Sequence, residues 1–395
     1  MDRRTLLVSL AGWPALPNAQ TEVQVRVQVP VLAAASPRSQ VPAAAPALRF
    51  PADFGAHPET RTEWWYLTGS LEAGTRRWGF QVTFFRAATG VSTPQAAASA
   101  SSPTSRFAPA QLLFAHAALT DLEQGRLRHD QRIARSGFGI AQAQLGDTHL
   151  RLRDWQLNRT PAPSPAPSSP PADSPRSRYT AQVASDSAGF AFDLAFDATQ
   201  PVLLQGMGGV SKKGPADGDA SRYYSEPQLA TRGTLTLDGK RIAVQGRAWL
   251  DHEWSDAFVP ATAVGWDWVG MNLDDGSALT AFRLRRADGS SLHAGGSFRA
   301  PGQPVRNFGP DEVRFAPGRV WESGASRARY PVQWKIETPA GVFSVNALLD
   351  NQELDSRGST GAIYWEGLSE LVDTSGQRVG RGYLEMTGYA AALRL

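Results

Sequence analysis

Thr234-Leu235-Thr236-Leu237-Asp238-Gly239-Lys240-Arg241-Ile242-Ala243-Val244 is the stretch that decides the fold class. Strand-forming residues flank Asp238-Gly239, a dipeptide suited to a two-residue hairpin turn. The same grammar recurs on both sides. Toward the N-terminus, Phe190-Ala191-Phe192-Asp193-Leu194-Ala195-Phe196 alternates with period two, and Gly79-Phe80-Gln81-Val82-Thr83-Phe84-Phe85-Arg86 and Leu112-Leu113-Phe114-Ala115-His116-Ala117-Ala118-Leu119 are runs rich in strand formers. Toward the C-terminus, Asp275-Gly276 and Asp288-Gly289 bracket residues 277–287. No long amphipathic helical stripe interrupts the pattern. Many short strands joined by glycine-rich turns specify an all-β sandwich or barrel.

The 395 residues suffice for two domains with proper cores. At 42% hydrophobic, the chain is not a disordered one. The 12 Trp and 17 Phe favour wide, aromatic-lined interiors. With no Cys, disulfides, thiolate metal sites and a cysteine nucleophile are excluded. Net charge is +3, and no basic cluster interleaves with aromatics, so nucleic acid is not an expected partner.

Arg3 and Arg4 precede an apolar run over residues 5–16. That run is shorter than the roughly 20 residues a membrane helix needs. It fits a signal peptide over residues 1–19, and the paired arginines suit the twin-arginine route to the periplasm. No later segment is apolar enough for a membrane helix. Residues 20–48, rich in Ala, Pro, Val and Gln, read as a linker. Residues 88–105 and 160–177 read as low-complexity insertions unable to pack a core.

A faint internal repeat is present. Gly246-Arg247-Ala248-Trp249-Leu250-Asp251 is similar to Gly380-Arg381-Gly382-Tyr383-Leu384-Glu385, and Trp64-Trp65-Tyr66 opens one half as Trp266-Asp267-Trp268 opens the other. The expectation is two similar barrels, over residues 49–255 and 256–395.

Arg61-Thr62-Glu63-Trp64-Trp65-Tyr66-Leu67-Thr68-Gly69, Trp249-Leu250-Asp251-His252-Glu253-Trp254 and Gly265-Trp266-Asp267-Trp268 concentrate the unusual residues. With Phe84-Phe85-Arg86, Phe114-Ala115-His116-Ala117-Ala118-Leu119-Thr120-Asp121 and Tyr364-Trp365-Glu366-Gly367, taken in order, they resemble the carotenoid 1,2-hydratase family of lipocalin-like proteins. The resemblance runs from about Phe50 to Tyr389. It implies two consecutive lipocalin-like (calycin-type) antiparallel barrels. It also implies either a hydratase that adds water to a terminal alkene or, as in exported relatives encoded beside ABC-type export systems, a non-catalytic carrier whose partner is an ABC-type permease. A third reading makes the cleft between barrels a protein-docking surface.

Hydrating a trisubstituted alkene begins with a strong acid, because the first step makes a tertiary carbocation. A carboxyl kept neutral by burial can donate that proton. Indole faces stabilise the cation, and an imidazole or second carboxylate can orient the water. This chemistry requires no metal or organic cofactor. Side chains alternate across a strand, so Trp249, Asp251 and Glu253 share one face while Leu250, His252 and Trp254 share the other. Trp64 and Tyr66 share a face, as do Trp266 and Trp268, with Asp267 opposite. The expected catalytic residues are Asp267 or Asp251 as acid and His252 as the water-orienting base. Trp64, Tyr66, His116, Trp254, Trp266 and Trp268 are expected to line the site of an apolar small molecule. No His-Glu-x-x-His or other zinc spacing occurs, so no metal is expected. The glycine-rich, basic run Gly206-Met207-Gly208-Gly209-Val210-Ser211-Lys212-Lys213-Gly214 has no helix signal after it and reads as a rim loop rather than a phosphate site. Tyr223-Tyr224-Ser225 is expected at the same rim.

Overall fold

The Asp238-Gly239 turn forms as its chemistry requires. Both residues take left-handed backbone angles, φ 48° and 79°, and Leu237 pairs with Lys240 across the hairpin. A computed structural model describes residues 47–90, 109–162, 176–257 and 259–393. The expected leader, nearly all of the expected linker and the middles of both expected insertions lie outside them. Ala88 and Pro161, expected in insertions, instead end the strands Arg76–Ala88 and Trp155–Pro161. Among the described residues no helix is long and apolar enough to cross a membrane.

The chain is all-β, as the sequence indicates, and its strands form two large antiparallel sheets with one topology. The first sheet runs Arg126–Arg135, Gln111–Asp121, Arg76–Ala88, Thr62–Ala73, Lys240–Ser255, Ala220–Leu237, Phe190–Asp197, Ser177–Ser185, Trp155–Pro161, His149–Leu152, Ala141–Ala143. The second runs Arg306–Phe308, Ser291–Arg299, Ala278–Arg285, Gly265–Leu273, Arg378–Met386, Ala362–Val372, Gly341–Ala347, Gln333–Thr338, Arg314–Pro317. In each, the opening strand pairs with the closing strand at the middle of the order. In each, the two outermost strands are consecutive in the chain, so the ribbon curls back toward itself and blunts its edges. Both sheets are lipocalin-like barrels, the first nearly closed.

The internal repeat maps onto this topology. Gly246 and Gly380 lead the two repeat motifs and lie on the closing strands, opposite Leu71 and Leu273 of the opening strands. A Cβ on Gly246 would fall 1.9 Å from the Ser70 carbonyl oxygen, and one on Gly380 2.7 Å from that of Asn272. Each glycine is where the closing strand comes too near its neighbour for a side chain.

The inner face of the first barrel is filled by Trp65, Leu67, Trp78, Phe80, Leu250 and Trp254, among others. The second is filled by Val269, Met271, Trp334, Trp365 and Leu384. A third buried cluster, with Tyr66, Trp249, Trp268, Phe282, Leu368 and Tyr383, lies between the barrels. The opening and closing strands are thus buried on both faces, which is why Trp65 to Gly69 are buried in succession and Trp64-Trp65-Tyr66-Leu67 interrupts any clean alternation in Thr62–Ala73. Truncating one of the fully buried indoles, such as Trp249, to Ala would cost about 3–5 kcal/mol.

Candidate functional site

Strand parity decides what enters the space between the barrels. Trp64 and Tyr66 leave the opening strand of the first barrel on its outer face, and Asp251 and Glu253 leave the closing strand directly opposite them. Trp266 and Trp268 leave the opening strand of the second barrel toward the same space. Glu385 lies opposite Trp268, and Glu366 is opposite Glu385 on the next strand. All of these residues, with Phe85, Tyr223, Phe282 and Lys213, line one cavity of about 90 Å³.

The two barrels supply different halves of its polar wall. Asp251 is 3% exposed. Its Oδ1 accepts hydrogen bonds from Ser225 Oγ (2.5 Å) and Trp249 Nε1 (2.7 Å), and its Oδ2 accepts one from Tyr223 Oη (2.8 Å). Burial pushes its pKa up to about 7, although these three donors oppose the rise. Near neutrality Asp251 is therefore partly a carboxylic acid. Glu253 is held by Lys213 Nζ at 2.9 Å and by Ser221 Oγ at 2.5 Å. Lys213 also stands over the rings of Tyr223 and Phe282, at 4.8 and 4.6 Å. The rim loop thus reaches the cavity through one ammonium group.

The second barrel brings Glu366 and Glu385 together. Burial, and then the neighbouring Glu385, hold Glu366 well above the usual carboxylate range, with Tyr66 opposing. Neither Glu366 Oε2 nor Tyr66 Oη has a hydrogen-bond partner of normal geometry among the described residues, although both atoms are buried. Glu385 borders the cavity and keeps some accessible surface. Its depth in the protein still pushes its pKa up to about 8, a hydrogen bond with Trp266 offsetting part of the rise.

The structure does not bring all the expected site residues here. Asp251, Trp64, Tyr66, Trp266 and Trp268 line the cavity. Asp267 does not. It lies on the opposite strand face from Trp266 and Trp268, is fully buried, and is paired with Arg283 (2.7 Å) and Arg285 (3.1 Å) while accepting a hydrogen bond from Tyr389 Oη. Its oxygens are taken up by these partners on the strand face turned away from the cavity, so the geometry does not support an acid role for Asp267 there.

His252 and Trp254 likewise face the interior of the first barrel. His252 Nε2 is 2.9 Å from Glu63 Oε1, its Nδ1 is 3.0 Å from Tyr224 Oη, and its ring stacks on Trp65. Burial lowers its pKa to about 4 against the opposing pull of Glu63. Trp254 stacks on His57 at 3.8 Å. His116 sits in the seam between barrels, behind Phe85, with Nδ1 2.5 Å from Tyr364 Oη and Nε2 2.8 Å from Ser359 Oγ. Its partners make it an inter-barrel clamp.

The His252 network contains the one group of described residues with metal-ligand spacing, His57, Glu63 and His252, whose ligand atoms all lie within 4.8 Å of one another. Glu63 already receives Arg86 Nε at 2.7 Å, the His57 backbone N–H and both imidazoles. Burial raises the Glu63 pKa, but hydrogen bonds from His252 and His57 outweigh it and bring it to about 2. Burial likewise lowers that of His57, but Asp53 and Glu63 bring it up to about 9. Two cations, Arg86 and His57, therefore face two carboxylates, Glu63 and Asp53, and the cluster balances its own charge.

Sequence reasoning passed over Lys213 and Glu385 as site residues. The signal for Glu385 was present: it occupies the same place in its repeat motif as Asp251 does in the other. Lys213 left no signal beyond its loop, because contact with the cavity depends on how that loop folds back.

Among known proteins, the sequence matches kievitone hydratase of Fusarium solani subsp. phaseoli with 26% identity over 198 residues, 49% of this chain and 55% of that protein. It matches dehydratase asqC of Emericella nidulans with 24% identity over 202 residues, 47% of this chain and 54% of that one. The alignments span only about half the length of either relative. In three dimensions, the crystal structure of an AttH-type protein from Nitrosomonas europaea superposes with a TM-score of 0.75 at 43% identity, covering 87% of this chain and 97% of that one. Kievitone hydratase from Nectria haematococca shares the fold, with a TM-score of 0.63 at 16% identity over 88% of this chain and 94% of its own. The family model described as AttH-like matches residues 41–389, nearly the whole described chain. With its relatives including a hydratase and a dehydratase, this chain belongs to the AttH-like family.

Proposed function

We propose that the protein is a hydro-lyase that adds water to, or removes it from, the terminal group of an apolar substrate inside the inter-barrel cavity. One observation carries this reading: Asp251, with a pKa near 7, and Glu385, with one near 8, share a cavity walled by Trp64, Trp266 and Trp268. A proton passes from Asp251 to the less substituted alkene carbon. The π bond breaks and leaves the positive charge on the tertiary carbon. The indole faces stabilise that charge. Water bonds to the cation and loses its extra proton to the Asp251 carboxylate just formed. Dehydration runs the same steps in reverse. Asp251 is pre-organised for this role because three donors fix its oxygens.

The cavity limits what enters. An apolar cavity of about 150 Å³ in another protein holds benzene, so about 90 Å³ admits a branched chain end rather than a whole polyene. This supports chemistry on one end of a ligand more than carriage of a complete one. The test is turnover of terminal trisubstituted alkenes, lycopene among them, in ¹⁸O-water. Incorporation of one ¹⁸O by the native protein and its loss in Asp251→Asn is the expected result. Equal incorporation in both rejects the assignment.

A further inference from the structure

The carboxyl groups on the cavity wall outnumber its cations. Asp251 and Glu253 face it from the closing strand of the first barrel, Glu366 and Glu385 from the second. Among the described residues, Lys213 is the one cation on the wall, and its ammonium is already paired with Glu253. Asp251 is held by neutral donors only. Glu366 Oε2 and Tyr66 Oη are buried, in residues each about 5% exposed, and beyond their approach to each other neither has a hydrogen-bond partner of normal geometry among the described residues. Around these oxygens stand Trp64, Trp268, Tyr223 and Phe282. Aromatic faces beside carboxyl oxygens are what recognises an alkylammonium ion.

We propose that the inter-barrel cavity binds a compact alkylammonium cation, with Glu366 and Glu385 as its counter-charge and the indoles of Trp64, Trp266 and Trp268 as its walls. This deepens the hydro-lyase reading, since such a cation is a stable likeness of the tertiary carbocation, but it is read by binding alone. The ionisable groups on the cavity wall are Asp251, Glu253, Tyr66 and Tyr223 from the first barrel, Lys213 from that barrel's rim loop, and Glu366 and Glu385 from the second, with Tyr383 behind them beside Glu366. The tyrosines stay neutral, because burial holds their hydroxyls well above their usual range. Bound charge favours the ionised carboxylates, so binding expels a proton and tightens as pH rises through about 7 to 8.

The experiment is calorimetric titration of the full chain with tetramethylammonium chloride, in phosphate and in HEPES, between pH 6 and 8.5. tert-Butanol serves as the neutral ligand of similar size. Expected results are a cation affinity at least tenfold above that of tert-butanol at pH 8, a buffer-dependent heat that reports proton release, and an advantage that shrinks toward pH 6. Glu366→Gln, which keeps shape and removes the ionisable group, should weaken the cation at least fivefold and leave tert-butanol unchanged. Equal affinity for the two ligands, or no cation binding by the native protein, overturns the proposal. Cation binding without turnover of any alkene would leave it standing and reject the hydro-lyase reading instead.

Discussion

Asp251 and Glu385 occupy matching places in the two repeat motifs, yet their surroundings differ. Asp251 receives three hydrogen bonds from Ser225, Trp249 and Tyr223. On the strand beside Glu385, directly across from it, the second barrel places another carboxyl, Glu366, where the first barrel places Ser225 across from Asp251. One half of the cavity is a satisfied polar network, the other a pair of acids with little to bond. Two copies of one strand pattern have thus diverged into a positioned group and a proton-holding pair. A satisfied network fixes geometry, whereas burial without partners raises pKa most.

The largest effect that can break this contrast is on turnover. Asp251→Asn should lower kcat by about 10²–10⁴-fold, the usual worth of a general acid, measured by ¹⁸O incorporation. Glu385→Gln should lower it less, because Glu366 remains beside it. An equal loss in both would make the halves functionally alike. Asp267→Asn, which touches only the interior of the second barrel, should leave kcat within a few-fold of native.

Next comes stability at the network of Glu63. Glu63→Gln leaves Arg86 without its counter-charge and His57 with Asp53 alone, and should cost about 3–5 kcal/mol in denaturant unfolding. The His57 contribution has a definite sign. Its pKa rises from 6.5 to about 9 on folding, so that stabilisation is complete below pH 6.5 and is lost as pH climbs through 9. That of Glu63 falls from 4.5 to about 2, so its share is complete above pH 4.5 and is lost as pH drops through 2. The gap in unfolding free energy between native protein and Glu63→Gln should therefore be widest between pH 4.5 and 6.5.

A pH profile sharpens the comparison within the cavity. If Asp251 donates the proton, kcat/KM falls as pH rises through about 7. Burial of Asp251 also means the folded state holds its proton longer than the unfolded chain, so this group's contribution to stability declines from about pH 4 to pH 7. The smallest effect is on the unsatisfied side. Glu366→Gln at pH 8 should be neutral or stabilising by about 1 kcal/mol, since an amide does not ionise. Asp251→Ala should instead cost about 1–3 kcal/mol by stranding its donors.

Much of the fold was legible because local chemistry and global pairing agree. Asp238-Gly239 asks for left-handed backbone and sits in it, and Phe190–Asp197 alternates because its two faces meet different surroundings. The repeat pointed to two barrels of like topology. Parity also placed Trp64, Tyr66, Asp251, Trp266 and Trp268 on their correct faces, and set Asp267 and His252 on the others. What parity could not say is which face meets ligand space. In an ordinary lipocalin reading the hollow is inside the barrel, which makes His252 and Trp254 site residues. Here both interiors are filled by large side chains, and the cavity opens between the outer faces.

Period-two alternation along each strand, the turn dipeptides and the glycines that admit close strands were therefore fixed by the amino-acid order, since each depends on neighbours a few residues away. The arrival of Lys213 beside Glu253 and the retirement of Asp267 into an arginine clamp were decided by the folding of each barrel on itself, whereas the choice of Glu366 and Glu385 as companions of Asp251 was decided only when two barrels packed face to face. That packing removes water from groups hundreds of residues apart in sequence, and desolvation, which sets their protonation, is a property of the assembled volume rather than of any local segment.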